Sequence, residues 1–191
     1  MEITEALATD AGMWGMWSPT AFHDVVDYET WEDALLEDED ILRHVVAGAF
    51  VPINIGGDGA YQFVARVGSA SVPARLTERE SAYSLVVSDP YLFVATAGAV
   101  ISGLEHVGDD PDIGLRIPLE PGRWQVTVAL VDWTAEPGAQ DDDGEPKPGA
   151  LPDFVVLVNP DPGTGVGYRA KLDTFDRSTE EEDQSLVHSE E

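Results

Sequence analysis

The apolar residues of this chain change period near Ala49. Before that point they recur at helical spacing. Ile41, Leu42, Val45 and Val46 share one face of a helix predicted over 39–47, with acids crowding its first turn and Gly48 ending it. A second helix is predicted over 29–36. A short third one over Thr20–Val26, burying Phe22, Val25 and Val26, follows the cap-like pair Ser18-Pro19. Ahead of these, Ala11–Trp17 sets large apolar groups beside glycines and reads as a strand.

Beyond Ala49 the pattern is that of short strands bounded by Gly and Pro. They are predicted at Phe50–Ile55, Tyr61–Val67, Ala74–Leu76, Ser84–Val87, Tyr91–Thr96, Val100–Val107, Gly114–Leu119, Trp124–Trp133 and Val155–Val158. Gly56-Gly57-Asp58-Gly59 reads as a hairpin turn between the first two, and Pro121-Gly122 as a turn before the strand at Trp124. The implied class is α+β: a mainly antiparallel β-sandwich or open barrel of about eight or nine strands, with two or three short N-terminal helices packed on one side. One β-rich domain is expected over 1–175. Within it 135–150 forms a mobile acidic loop, and 176–191 a disordered acidic tail.

Composition narrows the function. With 43% apolar residues the chain can bury a full core, and with no cysteine it has no thiol chemistry or cysteine-held zinc. No run approaches the roughly 18 apolar residues of a membrane helix. The opening Met1-Glu2-Ile3-Thr4-Glu5 lacks the features of a secretory signal, so a cytoplasmic location is expected.

Charge changes the picture more. There are 37 acids against 10 bases, a formal charge of -27. Residues 1–42 hold 12 acids and no base, whereas 43–135 hold 10 acids and 6 bases. The segment 136–191 is acidic again, with 15 acids and 4 bases. Such a chain repels nucleic acid and anionic membranes and steers basic partners toward it. Salt adaptation is the alternative reading of the acidity.

Candidate chemistry is sparse. His23, His44, His106 and His188 have no metal-ligand spacing, and no Gly-x-Ser-x-Gly elbow is present. Asp109-Asp110-Pro111-Asp112 and Asp141-Asp142-Asp143-Gly144-Glu145 are oxygen-rich but fail the EF-hand pattern. The glycines at 56–59 and 163–167 lack the following helix of a phosphate loop and read as turns. No cofactor or metal is therefore expected, and the reading is of a protein that is not an enzyme. Trp124 and Trp133, nine positions apart on one predicted strand, would point to opposite faces. Trp31, inside Glu29-Thr30-Trp31-Glu32-Asp33, is the best candidate for an aromatic set in an acidic patch.

Two stretches carry a resemblance. One runs Thr9-Asp10-Ala11, Trp17, Val46-Ala47-Gly48-Ala49 and Gly56 to Tyr61. The other runs Tyr91 to Val94, Gly122-Arg123-Trp124-Gln125-Val126-Thr127-Val128 and Leu151 to Val155. Their order resembles an uncharacterised bacterial domain associated with immunity proteins of polymorphic toxin systems. In its strand, Pro-Gly turn and strand it is also similar to the small nuclease inhibitor of the competence system. The resemblance implies an antidote that blocks a toxin or nuclease by protein–protein contact, and it brings no catalytic residues. The contact surface expected from charge is Asp24, Asp27, Glu29, Trp31, Asp33, Glu37 and Asp40, facing a basic protein partner of a monomer or small homo-oligomer. The rival reading is a structural or accessory subunit of a bacterial assembly, with an apolar interface on the strands.

Overall fold

The computed structural model describes residues 1–108, 113–163, 167–172 and 175. The acidic stretch 109–112 and the expected tail 176–191 lie outside the described residues. Two sheets face each other across one apolar core. The first runs in the order β1 (Glu2–Thr9), β4 (Gly59–Val67), β10 (Phe154–Pro160), β9 (Gly122–Val131) and β5 (Ser84–Val87), with β6 (Tyr91–Ala95) also paired to β9. The second runs β3 (Phe50–Asn54), β2 (Met13–Trp17), β7 (Ala99–Gly103), β8 (Leu115–Ile117). Pairing is antiparallel throughout the described residues except between β10 and β4. This is the α+β sandwich that the strand pattern implies, with ten strands and no closed barrel among the described residues.

β5 and β6 lie end to end along β9, broken where Pro90 cannot donate to the ladder. Ser88 covers the break: its N–H bonds Val128 O at 2.8 Å and its hydroxyl oxygen accepts Val128 N–H at 3.0 Å. Pro52 sits within β3, an edge strand, where a missing N–H is tolerated.

Gly56-Gly57-Asp58-Gly59 does not close a hairpin. β3 and β4 belong to opposite sheets, so the turn carries the chain across the sandwich, just as residues 10–12 carry β1 over to β2. The two crossings are tied together, with Ile55 and Gly56 N–H both donating to Gly12 O at 3.0 Å. Gly12 has φ +69°, and a Cβ there would stand 3.0 Å from Gly57 N, so both conformation and contact require glycine.

The core between the sheets is aromatic. Phe63 and Phe154 stack at 5.0 Å, and Trp14 meets Phe63 and Tyr61 edge-on at 5.4 and 5.2 Å. Trp17 donates its indole N–H to Ser102 Oγ at 2.9 Å, which satisfies a polar group that is fully buried. The helices α1 (Tyr28–Leu35) and α2 (Asp38–Ala47) close one side, α2 lying against β3 and β6 and burying Ile41 and Val45, while α1 buries Leu35. Gly48, at φ +75°, ends α2.

The other face of the first sheet is covered too, which explains the nearly unbroken apolar runs of β9 and β10. Ala129, Val131, Val155 and Leu157 are buried there beneath Leu76, Tyr83 and Trp133. A short helix α3 (Glu78–Ala82) is pinned to this face by Arg66, whose Nη1 and Nη2 donate to Glu80 at 2.6 and 2.7 Å. Trp124 packs on the inner core and Trp133 on this outer one, opposite faces as the spacing implies. Trp133 itself lies in a 3₁₀ turn after β9 rather than in the strand.

Several local expectations are corrected. Ala74–Leu76 is not a strand, Val107 lies beyond a 3₁₀ turn (Leu104–His106) that ends β7, and β1 and α3 were not predicted. The helix expected over Thr20–Val26 is a single 3₁₀ turn, Pro19–Phe22, and Val26 is 61% exposed rather than buried.

Candidate functional site

The acidic segment folds as two capped helices. Asp27 caps α1: its Oδ1 accepts Thr30 N–H at 2.9 Å, and the Thr30 hydroxyl accepts Asp27 N–H at 3.1 Å. These bonds, first from the Thr30 amide and then from its hydroxyl, hold the Asp27 carboxyl below its ordinary range. Glu37 occupies the cap position of α2, with Asp38, Glu39 and Asp40 in the first turn, where the helix dipole favours negative charge. Asp40 pairs with Arg43, the only base in residues 1–65. Nine acids between Asp24 and Asp40 thus face one cation.

The predicted residues fall into separate settings. Asp24 and Asp33 line one shallow cleft with Arg43 and His44. Asp27 and Trp31 line another, while Glu29 and Glu37 stand exposed on the helix surface and belong to neither. Trp31 is half-buried, packed on the core, and its indole N–H is spent on Leu104 O at 2.9 Å. The open aromatic is Tyr28, 69% exposed and stacked on Trp31 at 6.1 Å with 15° between the rings. A hydrogen bond to Glu32, and then the charge of that residue, raises the Tyr28 phenol above its ordinary range. Tyr28 carries a signal that sequence reading passed over: it lies three residues before Trp31, on the same helix face.

The second cleft has a volume of about 720 Å³ between the start of α1 and the segment that follows β7. Val26, Tyr28, Trp31 and Ile113 give it apolar and aromatic walls, and Asp27, Glu105 and His106 are its ionisable groups besides Tyr28. Glu105 is anchored across to the end of β1. Its Oε2 accepts the Thr9 hydroxyl at 2.9 Å and its Oε1 accepts Asp10 N–H at 3.0 Å. Among the described residues no serine, threonine, cysteine, lysine or arginine lines the cleft, so those residues offer acceptors and ring faces rather than a nucleophile.

Four of the eight large apolar side chains exposed among the described residues fall between Val26 and Val46: Val26 and Tyr28, which line the cleft, and Leu36 and Val46, which do not. Ile113, 46% exposed, joins the first two at the cleft. No group of three or more metal-ligating side chains occurs among the described residues. In the loop at 141–145 the Asp141 Oδ1 is taken by Asp143 and Glu145 N–H at 3.0 and 2.9 Å, while Asp109, Asp110 and Asp112 lie outside the described residues. Among the described residues no helix is long and apolar enough to cross a membrane.

No protein-family model matches this sequence, and no curated protein matches it. Among solved structures it is similar to one titled "Crocagin biosynthetic gene J", with a TM-score of 0.52 and 14% identity over 84% of this chain and 98% of that one. It also aligns with ComJ from Bacillus subtilis, an inhibitor of the DNA-degrading activity of NucA. There the TM-score is 0.46 and the identity 11%, over 83% of this chain and 95% of ComJ. What the first of these likenesses establishes is a shared fold spanning most of both chains.

Proposed function

We propose that this chain is a non-enzymatic acidic protein that binds and blocks a basic, toxin-like or nuclease-like protein, using the helical face from Asp24 to Val46. The observation that carries the reading is a coincidence within one segment of the chain. Nine acids with one compensating cation share these helices with exposed Val26, Tyr28, Leu36 and Val46. Uncompensated charge steers a basic partner and raises its rate of encounter, and apolar and aromatic side chains then supply the short-range anchor. A salt-adapted surface needs the acids but gains nothing from exposed apolar groups among them. An immunity-type antidote working in the cytoplasm, as a monomer or small homo-oligomer, is the specific form of this reading.

The test begins with a tagged copy used to capture its partner from lysate of the source cells, after which association with the purified partner is followed by stopped flow. The association rate is expected to fall steeply between low and physiological salt. Asp33→Asn, Glu37→Gln and Asp40→Asn together should lower it by roughly tenfold at low salt. A rate indifferent to both salt and the triple variant refutes this surface. A stoichiometric partner that survives high salt and ignores the variant points instead to an assembly subunit with an apolar interface.

A further inference from the structure

We propose that the cleft at the start of α1 seats an arginine side chain of the basic partner, its guanidinium against the Tyr28 ring with Asp27 and Glu105 as acceptors. This rests on the reading of the helical face as a contact surface for a basic protein. The argument is one of complementarity. The Trp31 N–H is already bonded to Leu104 O, so the only side-chain N–H left among the lining residues is that of His106. His106 Nε2 itself lies 3.7 Å from Glu105 Oε1. An anion would therefore meet two carboxylates, with only the His106 ring and the Tyr28 hydroxyl as side-chain donors among the described lining residues.

A cation meets the reverse. Asp27 is kept ionised by its cap bonds, and Glu105 is fixed in place by Thr9 and Asp10. Tyr28, backed by Trp31, offers an open ring. A planar guanidinium uses all of these at once, by stacking on the ring and by forked donation to carboxylates, whereas an ammonium uses them as a point charge only. The walls at Val26 and Ile113 suit the aliphatic stem of a long cationic side chain.

The probe is a capped Gly-Arg-Gly peptide, titrated into isotope-labelled protein by NMR, with the lysine and citrulline peptides as controls. The arginine peptide should shift the Trp31 indole signal and the Gly108 amide. The lysine peptide should bind several-fold more weakly, and the citrulline peptide should leave both signals in place. Tyr28→Ala, at an exposed position, should weaken the arginine peptide by about fivefold, and Tyr28→Phe should restore it. Equal binding of the citrulline or lysine peptide, or no effect of Tyr28→Ala, overturns the proposal. Shifts confined to Glu29, Asp33 and Asp40 overturn the cleft as the anchor while leaving the acidic face intact. If the triple acid variant also leaves partner binding unchanged, the parent reading fails with it.

Discussion

Glu80 is the side chain whose removal should be felt most for its size. It is 2% exposed, and each carboxylate oxygen takes one guanidinium nitrogen of Arg66, at 2.6 and 2.7 Å. Oε2 also accepts Thr77 N–H at 2.7 Å, completing the capping box of α3. Glu80→Ala strands a guanidinium that is itself largely buried and opens the cap. Breaking such a pair from one side costs about 3–5 kcal/mol. Arg66 keeps its bond to Glu2 at 2.5 Å, which places this case at the lower end, about 3 kcal/mol. For a chain of this size that is a fall in Tm of roughly 6–12 °C. Glu80→Gln keeps the shape and, through its one oxygen, the Thr77 acceptor and one Arg66 bond, but sets an NH2 donor against the other guanidinium nitrogen, for about 2 kcal/mol.

Urea and thermal unfolding followed by tryptophan fluorescence measure these costs. Arg66→Met with Glu80→Leu, which removes both charges, should recover most of the loss. A cost for Glu80→Ala below about 1 kcal/mol, or a double variant worse than the sum of its parts, refutes the reasoning. pH gives an independent check. Burial pushes the Glu80 carboxyl up, but Arg66 and the Thr77 amide outweigh it and hold the group below 4.5. The unfolded chain therefore takes up this proton first as pH falls. The stabilisation is whole above about 4.5 and is lost as pH drops through the folded value. The stability gap between wild type and Glu80→Gln should accordingly narrow only below that point.

Gly15→Ala should destabilise by about 3 kcal/mol or more, since a Cβ there falls 2.1 Å from the ring of Phe50, which is fully buried; urea unfolding measures it. His44 is held below 6.5 chiefly by burial against Phe22, only partly offset by a bond to the Ala34 backbone. Its folded pKa is the lower one, so its contribution to stability is whole above 6.5 and declines as pH falls through the folded value. His44→Phe should flatten the unfolding midpoint between pH 7 and pH 5 relative to wild type.

The sequence made legible what rests on local chemistry. The helices at 28–35 and 38–47 follow from acid-rich first turns, helical spacing and Gly48, and most strands from β-branched runs between Gly and Pro. What escaped was set by distant partners. Glu2–Thr9 fully buries only Leu7 and Thr9, half-buries Ile3 and is otherwise Glu, Thr and Ala, so its pairing with β4 leaves little hydrophobic alternation to read. α3 has no apolar face and exists through its cap and Arg66. The turn at Gly56 was correctly placed, but whether it joins neighbours or crosses between sheets depends on which face Phe50 and Ile53 bury. The acidic helical face was visible as composition. The cleft was not, because Glu105 and Ile113 join Tyr28 only through the packing of β7 and its following turn on α1.

The place of β10 bears on how the protein is made. The last strand lies in the middle of its sheet, between β4 and β9, and 86 residues separate it from the end of β4. At roughly 5–20 residues per second, about 4–17 s pass between synthesis of the two. Through that interval β4 has an unpaired edge at Phe63–Val67, and Phe154 is missing from the aromatic core. An unfinished sheet edge invites pairing with other chains. Residues 1–67 carry 13 acids and 2 bases, a net of -11. Mutual repulsion between nascent chains is thus already in place when the edge appears, which gives the acidic N-terminal segment a part in synthesis before the folded protein meets any partner.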